Sequence, residues 1–143
     1  MTGFEEVETG AGGRAVRRLT DTPASETDAK FSPGGRYVSF IRDANLHAIE
    51  LSSGREIAIT QGGGGPVSYG VAEFIAQEEM SRNTGNWWSP DERYIAFTRV
   101  DESAVAEIER FEVYADSLKV VKQRYPATGA RNADVQLYVT RIG

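Results

Sequence analysis

The stretch NWWSPDERYIAFTRVDE, Asn86 to Glu102, repeats an earlier one, AKFSPGGRYVSFIRDAN, Ala29 to Asn45. Ser32-Pro33 aligns with Ser89-Pro90, Arg36-Tyr37 with Arg93-Tyr94, Phe40 with Phe97, and Arg42 with Arg99. The offset, from Ser32 to Ser89, is 57 residues throughout. A repeat of that length with this turn chemistry indicates an array built from one supersecondary unit.

Each unit reads as strands and tight turns. An aromatic, Phe31 or Trp88, ends one strand, and Ser-Pro opens a turn in which proline presets φ at the first central position. The next strand, RYVSFI or RYIAFT, is dense in β-branched and aromatic residues and alternates imperfectly, as strands covered on both faces do. A turn at Asp43-Ala44-Asn45 leads into LHAIEL, and Ser53-Gly54 turns into REIAIT. Four strands per unit is the plan of a propeller blade. AVRRLT, Ala15 to Thr20, then reads as the last strand of a preceding blade. The predicted fold class is all-β: a partial β-propeller of about two four-stranded antiparallel blades with a short inserted helix. The competing architecture is an unrelated pair of hairpins in a sandwich. Residues 1–13, acidic and Gly-rich, read as a flexible lead-in, and 14–143 as the propeller portion. Two blades do not close a ring, so the chain reads as a piece of a larger protein.

The second unit departs from the first. VAEFIAQEEMSR, Val71 to Arg82, places Val71, Phe74 and Ile75 at helical spacing among helix-favouring residues. A helix inside an all-β repeat breaks the local pattern, and such breaks tend to be functional. Beyond FTRV the chain is read as a strand at Phe111–Tyr114, a loop with YPATGARN, and a last strand at Val135–Arg141.

Composition excludes several classes of function. The net charge is −5, which disfavours a nucleic-acid backbone as partner. No apolar run reaches the ~18 residues of a membrane span, and no secretory leader is read at Met1. There is no cysteine, hence no disulfide, thiol nucleophile or thiolate metal site, and the compartment, periplasmic or cytoplasmic, stays open. The one histidine, His47, lies in the alternating run NLHAIEL with no G-x-S-x-G in the chain, so it reads as a strand-face residue rather than a catalytic base. No catalytic residue, cofactor or metal site is predicted. Asp91-Glu92 and Asp101-Glu102 sit at turn positions where acids are routine, and QGGGG reads as a flexible connector because no Lys-Ser/Thr follows it.

YGVAEFIAQEEM, WWSPDERYIAF, DES…EIERF and RYPATGARNADVQLYV, in this order, resemble the dipeptidyl peptidase IV branch of the prolyl oligopeptidase family. The resemblance covers roughly Ala15 to Ile142. It implies an N-terminal propeller, often of about eight blades, fused to an α/β-hydrolase domain that carries Ser, Asp and His. It implies a bacterial-type serine peptidase, a hydrolase that releases N-terminal dipeptides with Pro or Ala in second place. It also implies that a Glu-Glu pair on a propeller helix binds the peptide's α-amino group, here Glu78 and Glu79. A third glutamate often precedes that pair; this chain has Gln77, so the role is not carried over. The family's propeller arginine that contacts the substrate carbonyl is matched by no residue here. The hydrolase domain is absent from the chain, which alone is expected to be inactive.

The chemistry fits such a role. An ammonium offers three donors, and two carboxylates supply acceptors for charge-assisted hydrogen bonds. The alternative for Glu78 and Glu79 is a solvated helix face paired with Arg82 at i+4 and i+3. Trp87 and Trp88 read as blade packing. A rival function is a non-enzymatic TolB-like propeller that binds another protein. A two-blade piece with open ends is expected to self-associate as a homo-oligomer.

Overall fold

The structure, a computed structural model, describes the backbone of residues 5–10 and 13–143 and the side chains of residues 16–143. Within the segment read as a lead-in, β1 (Glu5–Gly10) pairs antiparallel with β2 (Gly13–Arg18). The expected strand at Ala15–Thr20 is this β2, set two residues earlier. Residues 1–4, 11 and 12 of that lead-in lie outside the described residues.

The first unit forms a four-stranded antiparallel meander of β3 (Glu26–Phe31), β4 (Tyr37–Arg42), β5 (Asn45–Glu50) and β6 (Arg55–Ala58). The turns are those the sequence announced. Asp43 and Ala44 both take positive φ between β4 and β5, the two-residue hairpin geometry that matches strand twist. Gly54 turns left-handed before β6, and its N–H reaches the Glu50 carbonyl at 2.8 Å.

The second sheet has the order β12–β9–β7, with β8 also on β9. Its strands are β7 (Val67–Tyr69), β8 (Asn86–Trp88), β9 (Tyr94–Asp101) and β12 (Asp134–Arg141). β7 and β8 are two halves of one first strand. β7 pairs with β9 from Asp101 to Arg99, and β8 resumes at Phe97. The helix α1 (Phe74–Met80) sits in the break. A hairpin of β10 (Glu107–Val113) and β11 (Leu118–Arg124) stands between β9 and β12. The sequence reading gave only a short strand at Phe111–Tyr114 there. LKVVKQR was missed as a strand because its apolar residues are few and largely exposed in the hairpin, so no buried face marks it. The result is a partial propeller: two antiparallel blades and one short helix.

The blades pack face to face. Tyr37 and Ile41 of β4 and Leu46 of β5 meet Ile95 and Phe97 of β9 and Ile142, with Ile57, Tyr69 and Trp88 at the margin. Trp88 lies flat on Tyr37, centroids 5.3 Å apart and planes at 9°, and its Nε1–H donates to Ser39 Oγ at 3.0 Å. Burying each such side chain contributes about 1.5–3 kcal/mol. The other face of the first blade carries an ionic network. Arg42 holds Glu26 at 3.1 Å and also Glu56, and His47 Nδ1 stands 3.1 Å from Glu56 without hydrogen-bond alignment.

The Ser-Pro turns are not equivalent. In the second, Ser89 Oγ donates to Asp91 of its own turn at 2.6 Å. In the first, Gly34 stands where Asp91 would be, and Glu92 of the neighbouring blade reaches in instead. Its Oε1 accepts from Ser32 Oγ, from the Gly34 N–H at 2.8 Å and from the Arg36 N–H at 3.3 Å. A Cβ on Gly34 would crowd that carboxylate. The Ser32 hydrogen bond, with the backbone donors, holds the Glu92 carboxyl below its ordinary value of 4.5. A depressed folded-state value stabilises above the unfolded value, and that stability is lost as pH falls through the folded one. Glu92→Gln should therefore cost about 1 kcal/mol at neutral pH. The variant should also show a shallower acid limb below pH ~4.5 in urea titrations; a limb identical to that of the parent chain would refute the clamp.

The repeat also says what the open ends lack. Phe31 holds the place of Trp88, and Tyr94 the place of Tyr37; the former is 61% exposed and the latter 37%. Val135, Leu137 and Val139 of β12 share one uncovered face with Trp87, because they oppose Val100, Thr98 and Ala96 and Trp87 also opposes Ala96. The 143-residue chain should therefore self-associate through these surfaces. Sedimentation equilibrium over a hundredfold concentration range checks this, and Phe31→Ser should weaken the association. A monomer at every concentration would overturn it.

Candidate functional site

A helix as short as α1 does not persist alone, so its ends decide where it stands. Glu73, at φ −73° and ψ 167°, is the N-cap: its carboxylate accepts from the Ile75 N–H at 2.6 Å and the Ala76 N–H at 2.9 Å. Ser81 enters the left-handed region at φ 50° and ends the helix, and the Arg82 N–H reaches the Ala76 carbonyl at 3.0 Å. The helix predicted over Val71–Arg82 is thus shorter at both ends. Val71 and Ala72 stay extended because Val71 bridges Thr84 and the Ala72 N–H bonds the Asn83 carbonyl at 3.1 Å. Ala76 is buried, and Phe74 meets Tyr125 edge-on at 5.4 Å.

Residues 70–85 form a loop closed at its neck, and the whole excursion lies opposite one residue of β9, Thr98. The Thr98 carbonyl accepts from the Gly70 N–H at 2.8 Å, its N–H donates to the Gly85 carbonyl at 2.8 Å, and its hydroxyl donates to the Val71 carbonyl at 2.6 Å. The Gly85 N–H closes the ring on the Gly70 carbonyl at 3.0 Å. Gly70 takes φ +73°, and a Cβ at Gly85 would collide with the Thr98 hydroxyl and the Val71 carbonyl.

Glu78 and Glu79 lie together on the last turn of α1, both exposed. Among the described residues neither carboxylate has an ion-pair or hydrogen-bond partner. Arg82, spaced to pair with them, instead donates Nη1 to the Thr84 carbonyl at 2.9 Å. Gln77 turns its amide back to the Ala72 carbonyl at 2.6 Å. The helix therefore presents two adjacent carboxylates with no internal counter-ion, and Met80 beside them is 67% exposed. Two like charges repel, and a cation between them would relieve that repulsion.

The other residues singled out in the sequence are placed elsewhere. His47 stacks on Phe40 at 5.5 Å, and burial and the nearby Arg42 lower its pKa. Asp101 is held to about 2 by the Ser103 hydroxyl and N–H and by Arg99. Asp91 stays in its own turn. Trp88 packs between the blades as expected, whereas Trp87 is 42% exposed on the uncovered face. The glycine stretch is tied down by the Gly63 N–H on Asn45 Oδ1 at 2.9 Å and by reciprocal bonds between Gly64 and Val67. Sequence reading missed Glu73, Gly85 and Thr98. The first carried a signal, an acidic residue just ahead of the helical spacing.

Fold and loop together define a class: a propeller segment whose first blade strand is interrupted by an acidic helix. The chain belongs to the family described as the dipeptidyl peptidase IV (DPP IV) N-terminal region, whose model matches residues 5–143. It is similar to a probable dipeptidyl-aminopeptidase B of Aspergillus terreus, 35% identical over 125 residues, 76% of this chain and 13% of that protein. It is 38% identical to the corresponding Emericella nidulans protein over 122 residues, 76% of this chain and 14% of that protein. The crystal structure of Porphyromonas gingivalis dipeptidyl peptidase 4 superposes with a TM-score of 0.80 at 30% identity, covering 88% of this chain and 18% of that one. The chain thus spans about one seventh of the length of these curated fungal relatives. The sequence reading expected a bacterial source; the similar proteins come from fungi and from a bacterium, and no source follows from them.

The neck makes a direct prediction. Gly85→Ala should destabilise the chain by about 1–3 kcal/mol, as overpacking against backbone does. Thr98→Val, which keeps the shape and drops the hydroxyl, should cost about 1 kcal/mol. Urea midpoints compared with the parent chain measure both, and unchanged midpoints would show that the neck does not close as described.

Proposed function

We propose that this chain is the substrate-gripping segment of the propeller of a serine dipeptidyl peptidase, and that Glu78 and Glu79 bind the free α-ammonium of the peptide. The observation that carries this is the pair itself: two adjacent carboxylates, free of internal counter-ions, on a helix capped at both ends and set on a closed loop. The loop breaks the first strand of its blade, at one edge of that sheet.

An exopeptidase has to measure from the free N-terminus to the scissile bond. A fixed pair of carboxylates does so by accepting hydrogen bonds from the ammonium. In a water-poor cavity that attraction far exceeds the roughly 0.2–1 kcal/mol of an exposed pair. An N-acylated peptide brings no charge and leaves the carboxylates unpaired, so it is rejected. The nucleophile, base and oxyanion donors belong to a hydrolase domain outside these residues. The segment's part is to bind and orient.

Glu78→Gln and Glu79→Gln in the full-length enzyme that carries this segment test the reading. Each keeps side-chain size and removes one charge. Catalytic efficiency toward an Ala-Pro chromogenic substrate should fall by about two orders of magnitude, roughly 2.7 kcal/mol, with an unchanged far-ultraviolet spectrum. Near-normal efficiency in both variants would return the pair to a solvated helix face.

A further inference from the structure

We infer that Asp28 and Lys30, on the preceding blade, are positioning residues for the Glu78–Glu79 pair. The inference rests on the amine-binding reading above. β3 is irregular where they stand: its register with β4 shifts between Thr27 and Lys30, and Asp28 sits at φ +53°. A non-glycine residue at positive φ within a strand is strained and persists only where its surroundings hold it. Here the bulge turns the Asp28 carboxylate toward the second blade, where Oδ2 accepts from Asn86 Nδ2 at 3.0 Å. Lys30 Nζ lies 3.1 Å from the same carboxylate, donates to the Asn86 carbonyl at 2.9 Å and also bonds the Thr84 hydroxyl.

Apart from the Lys30–Asp28 pair itself, each of these contacts falls on the exit of the loop that carries α1. Asn86 passes the restraint to the entrance, since its Nδ2 also donates to the Gly70 carbonyl at 2.9 Å. Asn86 is 1% exposed, and its amide orientation is fixed because both partners of Nδ2 are acceptors. Cohesion of the two blades does not need this group of charges: Tyr37, Ile41, Ile95, Phe97 and Trp88 already supply it. What the charges add is a fixed direction for residues 70–86. Thr98 holds the loop from its own sheet and the Asp28–Lys30 pair holds it from the neighbouring one, so the neck of the loop that carries α1 is held from both sides.

The test has two readouts. In the 143-residue chain, Lys30→Met keeps the apolar stem and removes the ammonium. Amide exchange at Ala72, Ala76, Gln77 and Gly85 should quicken about tenfold, with exchange in β4 and β5 unchanged. Unaltered exchange in the loop overturns the inference. In the full-length enzyme the same change should lower kcat/KM toward a free-amine substrate about tenfold, chiefly through KM, and Lys30→Arg should recover most of it. On a Glu79→Gln background Lys30→Met should add less than about twofold, because the grip it aligns is already lost. An equal tenfold loss in both backgrounds would mean a general structural role and would overturn the inference. If Lys30→Met fails to fold, Thr84→Val removes one acceptor from the loop side and is read the same way. Glu78→Gln and Glu79→Gln, measured alongside, keep the two readings apart. Inactive glutamate variants with an unimpaired Lys30→Met refute the positioning role alone. Active glutamate variants refute the amine reading, and with it the role assigned to Lys30.

Discussion

The flat contact of Trp88 on Tyr37 holds the second blade on the first, and the rest of the molecule is arranged around it. Neither ring could be left in water without losing the burial that an aromatic of this size supplies. Once the rings meet, Ile95 and Phe97 are brought over Ile41 and Leu46, and the two Ser-Pro turns come close enough for Glu92 to enter the first. That same registry places β3 beside β8, where Lys30 and Asp28 reach the loop. A hydrophobic contact thus fixes distances on which polar contacts depend.

Much of the architecture is legible in the sequence. The repeat from Ser32 to Ser89, the Ser-Pro turns and the Asp43-Ala44 hairpin are local signals, and local signals survive in sequence. Strand β4, buried at Tyr37, Val38, Phe40 and Ile41, has the near-continuous apolar run expected of a strand covered on both sides. β11 lacked that signal because the hairpin it belongs to is largely exposed. Helix boundaries failed for a different reason. Val71 has helical spacing with Phe74 and Ile75, but backbone bonds across the loop neck hold it and Ala72 extended.

The candidate site divides the same way. Glu78 and Glu79 could be picked out, and Gln77 set aside, only through the resemblance of the surrounding motifs to a known family; their spacing alone fits a solvated helix face. Their support could not be seen. Thr98, Asp28 and Lys30 lie far from the glutamates in sequence, and nothing in a threonine or a lysine announces which carbonyl it will meet. The Glu92 clamp is a related case. Gly34 reads as an ordinary turn glycine until the neighbouring blade's carboxylate is found in the space a Cβ would fill.

The interrupted first strand has a consequence for how such a segment can change over time. The edge of β9 sees β7 end and β8 begin with only Thr98 between them, whatever lies in the excursion. The ladder therefore does not record the length or content of residues 71–84. Insertions, deletions or a different helix could be exchanged there while the blade keeps its register, provided the two glycines of the neck remain. Such a junction decouples the evolution of the loop from that of the scaffold, and it offers a natural point for grafting one loop onto another propeller.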